Sequence, residues 1–237
     1  MSVASSVALS QAPATTRLAT AAGNGRLRLL FVVILVTSLS AVALSVVSYA
    51  KPVGNGDGLP DYAAIAGMRG YVWGFFLVAG VQLIVGACAA ALAAWLLVPT
   101  RGARWANVGG SLVWLGAAIY GVGIGGWATI YYFGTDPGAL DPATAARFID
   151  HVNDDTARML AVPIGGALLV ALGSMLLAVA LWRARTVPRW VPVVGILTAI
   201  TGIVIPPDTV AGIIAEAASS ATTIALGWYA WRRSITS

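Results

Sequence analysis

The chain has 237 residues, of which 59% are hydrophobic and only 10% charged, and its mean hydropathy is +0.85. Soluble domains carry about 25% charged residues, so this composition argues against a soluble enzyme and against a disordered chain. One Cys and one His leave no means of building an internal disulfide, a Cys-rich metal centre or a bis-His haem; no cofactor is expected.

The chain opens with a segment rich in Ala, Ser and Thr and free of acid, and residues 1–28 read as a flexible cytoplasmic tail. A helix needs about 20 mostly apolar residues to cross about 30 Å of hydrocarbon. Residues 29–49, 72–98, 108–133, 160–182 and 209–231 meet that requirement. Residues 190–205 form a shorter sixth candidate, about 24 Å long at about 1.5 Å per residue. A re-entrant hairpin is the competing reading of this stretch. Pro206 and Pro207 stop it, and Asp208 is the expected N-cap of the last span. The predicted fold is therefore all-α: a polytopic transmembrane bundle over residues 29–233 with six spans. The first span, with its basic flank and Ser48-Tyr49-Ala50, imitates a signal peptide. Its apolar run exceeds the usual h-region of about 7–15 residues, so it is expected to stay uncleaved.

Charge sorts by side. Arg17, Arg26 and Arg28 precede the first span, Arg101 and Arg104 lie between the second and third, Arg183, Arg185 and Arg189 between the fourth and fifth, and Arg232 and Arg233 follow the sixth. None of these segments holds an Asp or Glu. The other loops hold every Asp and only four basic residues: Lys51, Arg69, Arg147 and Arg158. The positive-inside rule places both termini in the cytoplasm of a multi-pass cell-membrane protein. The Arg residues are scattered in short juxtamembrane turns, so no nucleic-acid partner is expected.

Sliding the chain against itself aligns spans two and three with spans four and five. Gly80 falls on Gly165, Arg104-Trp105 on Arg189-Trp190 and Gly110 on Gly195. This suggests a parallel repeat, as in some transporters, although a small membrane alphabet produces such matches by chance. The run Arg185-Thr-Val-Pro-Arg-Trp190, followed by Val-Pro-Val-Val-Gly195, and the run Asp141-Pro-Ala-Thr-Ala-Ala-Arg-Phe148 carry a family resemblance. They resemble a large group of uncharacterised, mostly actinobacterial, six-span integral membrane proteins with a basic R-x-V-P-R-W turn between late spans. The resemblance covers residues 140–200 and implies the architecture; it brings no activity with it.

Glu216 is the only Glu in the chain and the only carboxylate inside a span. An unpaired carboxylate in hydrocarbon costs several kcal/mol, which makes Glu216 a functional candidate. Ser219, Ser220 and Thr223 share its helix face, and the neighbouring alanines allow close approach of another helix. Gln82 lies at a similar depth in the second span, so by depth alone a hydrogen bond to Glu216 is possible. These five residues are the candidate ligand-binding set; the bland alternative is that Glu216 and Gln82 only hold helices together. Thr198, Thr201, Ser38 and Ser45 are expected to be ordinary polar packing residues. In the glycine-dense third span, Gly121 and Gly125 form a GxxxG face, and Trp127, Tyr131 and Tyr132 are expected to anchor the outer interface.

Residues 134–159 form an outer loop with a short amphipathic helix, begun by Asp141 as N-cap and Pro142 in the first turn. Phe148, Ile149 and Val152 make an apolar strip that lies on the membrane or covers the bundle. Arg147 with Asp150 and Arg158 with Asp154 are expected helix pairs, and a metal clip at His151 and Asp155 is a remote reading, so no metal is expected. Asn55-Gly-Asp-Gly58 fails as a calcium loop because its flanking ligands are absent.

Three functions fit this inventory. The first is binding or transport of a small hydrophobic or lipid-like molecule from the bilayer. The second is a non-catalytic subunit or assembly factor for a partner membrane protein. The third is a membrane-embedded enzyme using Glu216 as an acid on a lipid-soluble substrate, with no catalytic residue set identified.

Overall fold

A computed structural model describes residues 14–51, 61–206 and 208–236, and every regular element among them is an α-helix. In chain order these are α1 (Ala14–Ala50), α2 (Tyr62–Ala66), α3 (Arg69–Leu97), α4 (Ala103–Gly134), α5 (Pro142–Asp154), α6 (Thr156–Ala184), α7 (Trp190–Val204) and α8 (Val210–Thr236). Five of them contain stretches long and apolar enough to cross a membrane: Gly25–Ala50, Arg69–Leu97, Ala103–Gly134, Ala157–Ala184 and Val210–Arg233. Helices suit that environment because each satisfies its own backbone groups where no water is available. The shorter α7 has 15 residues, about 22 Å at about 1.5 Å per residue. Residues 14–28 of the expected tail continue α1 as helix. Residues 1–13, the Asn55-Gly-Asp-Gly58 turn and Pro207 lie outside the described residues.

Local chemistry sets the ends. Asp61 caps α2 by accepting from the Ala64 N–H at 2.6 Å, and Asp141 caps α5 by accepting from Ala143 and Thr144, each at 3.1 Å. The cap of α8 is Thr209, whose Oγ1 accepts from the Gly212 N–H at 3.0 Å; the expected Asp208 sits one residue too early. At the end of α6, Arg185 adopts a left-handed conformation (φ 54°) and its N–H returns to Leu181 O, before Pro188 closes the R-x-V-P-R-W turn.

α1 and α8 run antiparallel. Phe31 stacks on Trp231 at 5.5 Å, Ile34 lies against Gly227, and Ser38 O accepts from Ser220 at 3.0 Å. Arg233 Nη1 donates to Leu97 O at 3.2 Å, and the Gly102 turn lies against the Ala180 backbone. The four Arg-bearing segments thus gather at one end of the bundle. There Arg104 covers Trp105 and Arg189 covers Trp182, at 5.3 and 5.5 Å from the ring centres. The opposite end carries the Arg69–Asp136 ion pair at 2.8 Å.

The long helices close a ring in the order α1, α3, α4, α6, α7, α8 and back to α1. The tightest seam joins α4 to α6. A Cβ on Gly109 would meet Gly173 O at 2.8 Å, one on Gly116 would meet Gly166 O at 2.7 Å, and one on Gly123 would meet Pro163 N at 2.9 Å. The close-packing face of α4 is therefore Gly109-Gly116-Gly123. The predicted GxxxG pair does not form it: Gly121 faces Ile84 of α3, and nothing lies near Gly125.

α2 and α5 cover the end opposite the Arg cluster. Ile65, Val72, Tyr131 and Ile149 form a fully buried aromatic-aliphatic core there, joined by Phe76, Trp127 and Met159. Tyr131 is thus a core residue of the cap and not an interface anchor; its hydroxyl donates to Asn153 Oδ1 at 3.0 Å. Trp127 Nε1 donates to Met159 O at 3.0 Å. The apolar strip of α5 covers the bundle through Ile149, while Phe148 remains partly exposed. Arg158 pairs with Asp155 at 3.0 Å instead of Asp154, and Arg147 donates to Thr144 Oγ1 instead of reaching Asp150.

Candidate functional site

A cavity of about 690 Å³ lies inside the ring, lined by all six of its helices. It runs from the level of Leu181 and Val191 near the Arg-bearing end to Ile205 and Gly212 toward the other. α2 and α5 contribute nothing to it, so the loop helix is a cap on α3, α4 and α6 and not a wall of the cavity. The wall is mostly Ala, Gly, Val and Leu, because small side chains on α3, α6 and α8 leave unfilled volume where larger ones would interdigitate.

All five predicted residues, Gln82, Glu216, Ser219, Ser220 and Thr223, line this one cavity. The spacing of Glu216, Ser219, Ser220 and Thr223 turns them to a common face of α8. Ser220 Oγ stands 3.0 Å from Ser38 O and 3.3 Å from Glu216 Oε1. It links the carboxyl group to α1 and shares one proton between two acceptors. Gln82 does not reach Glu216. Its Nε2 donates to Thr37 O at 3.3 Å, tying α3 to α1, because Gly86 one turn on lets Thr37 come close.

The cavity also holds polar residues that were expected only to pack. Ser38 and Ser45 of α1, Thr198 and Thr201 of α7, and in addition Tyr120, Ser174 and Thr222 all line it. Thr222 lies outside the predicted i+3/i+4 stripe but is buried. It lies seven residues after Ala215, another lining residue, and that heptad relation is the signal that would have found it. Four threonines of the lining are turned inward on their own helices. Thr222 donates to Ala218 O at 2.9 Å, Thr223 to Ser219 O at 3.0 Å, Thr198 to Gly195 O and Thr201 to Thr198 O, both at 3.2 Å.

Among the described residues of the wall, Glu216 and Tyr120 are the ionisable ones, and no Lys, Arg or His lies with them. No group of three or more His, Cys, Asp or Glu positioned to hold a metal ion occurs among the described residues. Cys88, partly buried on α3, lies away from the cavity lining.

The family described as a domain of unknown function (DUF4386) matches residues 56–231, and the chain belongs to it. That match covers α2 through most of α8, and with them the predicted site residues. No curated protein and no solved structure matches the chain.

Proposed function

We propose that this DUF4386 member is a multi-pass protein of the cell membrane that crosses the bilayer six times, with both termini in the cytoplasm, and that its cavity binds or carries a small hydrophobic or lipid-like molecule. Two features support the topology. The Arg-bearing segments share one end, as the positive-inside rule requires of cytoplasmic turns. α7 leads from the end where α6 stops to the end where α8 starts, which favours a short crossing over a re-entrant hairpin. Spans α3–α4 and α6–α7 are the two halves of the proposed parallel repeat, and α7 has 15 residues against 32 in α4.

One observation carries the binding reading: a cavity of about 690 Å³ in the lipid-embedded bundle, with the chain's only Glu on its wall. Ligand sites have volumes of about 300–1,000 Å³, mostly apolar walls and a few convergent polar groups. Acid–base chemistry ordinarily needs a second matched acid or base beside the first, and the wall offers Glu216 only a phenol, so binding is the better reading than catalysis.

Native mass spectrometry of the purified protein tests this. A small-molecule adduct is expected, and it should disappear when the cavity is narrowed by Gly195→Leu. Co-purification of a fixed membrane protein with no adduct would instead support the subunit reading. For the topology, single Cys residues placed at positions 10, 140 and 235 in a Cys88→Ala background are probed with an impermeant thiol reagent on intact cells. Labelling at 140 alone is expected; labelling at either terminus would overturn the six-crossing arrangement.

A further inference from the structure

The cavity wall is asymmetric in hydrogen-bonding character, and this narrows the class of molecule it takes. A hydroxyl has one proton and two lone pairs. The protons of Thr198, Thr201, Thr222 and Thr223 are already engaged by backbone carbonyls of their own helices. Thr37 is engaged in the same way, with Val33 O at 2.9 Å, and the proton of Ser220 is shared between Ser38 O of α1 at 3.0 Å and Glu216 Oε1 at 3.3 Å. One of the two amide N–H groups of Gln82 is held by Thr37 O. Apart from the second N–H of Gln82, these groups offer the cavity lone pairs, while the remaining serines and Tyr120 serve a donor or an acceptor equally. Glu216 and Tyr120 are the ionisable groups on the described wall, and either one, when charged, is negative.

We infer that the ligand is an apolar molecule bearing a protonated amine, held with its ammonium against Glu216 and its tail along the alanine-, valine- and leucine-lined wall. The assignment rests on the reading of the cavity as a binding site. An ammonium has three protons and no lone pair. Glu216 supplies one acceptor, and the oxygen of Ser219, one turn along the same face of α8, supplies a second. A buried charge is tolerated only when it is paired and its remaining hydrogen bonds are made. A carboxylate or phosphate head would find no Lys, Arg or His among the described lining residues and would face Glu216 directly.

The test compares three probes with one tail: tritiated dodecylamine, dodecanol and dodecanoate, bound to the full chain in phosphatidylcholine nanodiscs, with protein-free nanodiscs as the blank. Saturable binding of the amine is expected, about tenfold or more tighter than that of the carboxylate, since only the amine makes a charge-assisted hydrogen bond to Glu216. Glu216→Gln should remove most of the amine's advantage and leave the alcohol's affinity nearly unchanged. Ser219→Ala, which leaves the α1–α8 link intact, should weaken the amine more than the alcohol. Equal binding of all three probes, or full amine affinity in Glu216→Gln, would overturn the amine assignment while leaving the cavity a binding site. Saturable binding of none of the three would overturn both.

Discussion

The α4–α6 seam and the α7–α8 side of the ring are built from the same small residues and do opposite things with them. Along the seam, Gly109, Gly116 and Gly123 meet Gly173, Gly166 and Pro163, and backbone touches backbone with no room for a methyl group. On the other side, a Cβ on Gly195 would meet only a Thr222 methyl at 3.8 Å, and one on Gly202 would meet no facing atom within 4 Å. Small residues close a gap only when the facing helix also presents small residues at matching heights. Where α7 and α8 face the ring interior without such a match, the same residues leave a cavity. The seam supplies rigidity, because association in lipid depends on close van der Waals contact; the opposite side supplies room.

Substitutions at glycine should separate the two sides most sharply. Gly116→Leu, placed against the Gly166 carbonyl, is expected to destabilise the bundle by about 3 kcal/mol, at the upper end of overpacking costs, read as a loss in reversible detergent unfolding. The same change at Gly195 or Gly202 should stay within about 0.5 kcal/mol while eliminating ligand adducts; equal costs on both sides would erase the distinction. Next in size, Tyr131→Phe leaves Asn153 without its phenol partner and should cost about 1 kcal/mol, measured as faster hydrogen exchange in α5, with no change at the cavity. Asp141→Ala removes the cap of α5 and should cost a similar amount, about 1 kcal/mol, confined to the same helix.

The smallest effect concerns pH. The Gly138 N–H and then the Arg69 guanidinium hold the Asp136 carboxyl below its ordinary range. A group whose native value is lowered contributes stability above its unfolded-state value and loses it as pH falls through the native one. Thermal melts should therefore show a slight loss of cap stability on acidification below the ordinary carboxylate range. Asp136→Asn should flatten it; an unchanged pH profile in that variant would show that the ion pair contributes nothing.

Much of this was legible in the residues. A long apolar run states its own helix, because length and hydropathy are local properties, and Pro and Gly mark where it stops. Glu216, Ser219, Ser220 and Thr223 were recognisable as one face because helical periodicity is fixed, and the structure keeps them on one wall. Pairings were not legible. Gln82 goes to Thr37 and not to Glu216, Arg158 goes to Asp155 and not to Asp154, and Tyr131 turns into a cap that only α2 and α5 create. Each depends on which helix lies beside which, and depth along a span carries no information about neighbours.

The glycines make the same point. Their abundance in α4 is visible in the composition, yet GxxxG spacing pointed to Gly121 and Gly125, whereas the seam uses a seven-residue step. The step is set by the crossing of two helices, a relation that exists only once both are in place. By itself the sequence determined that the chain is helical and apolar, which spans it offers, how its charges divide, and that one acid is sunk among them; these follow from the energetics of single helices in hydrocarbon. Only the tertiary structure decided that the acid faces a cavity, that Ser38, Tyr120 and Thr198 share it, and that glycine locks one side of the ring while leaving the other open. Those outcomes are sums over pairs of helices, and no single helix contains them.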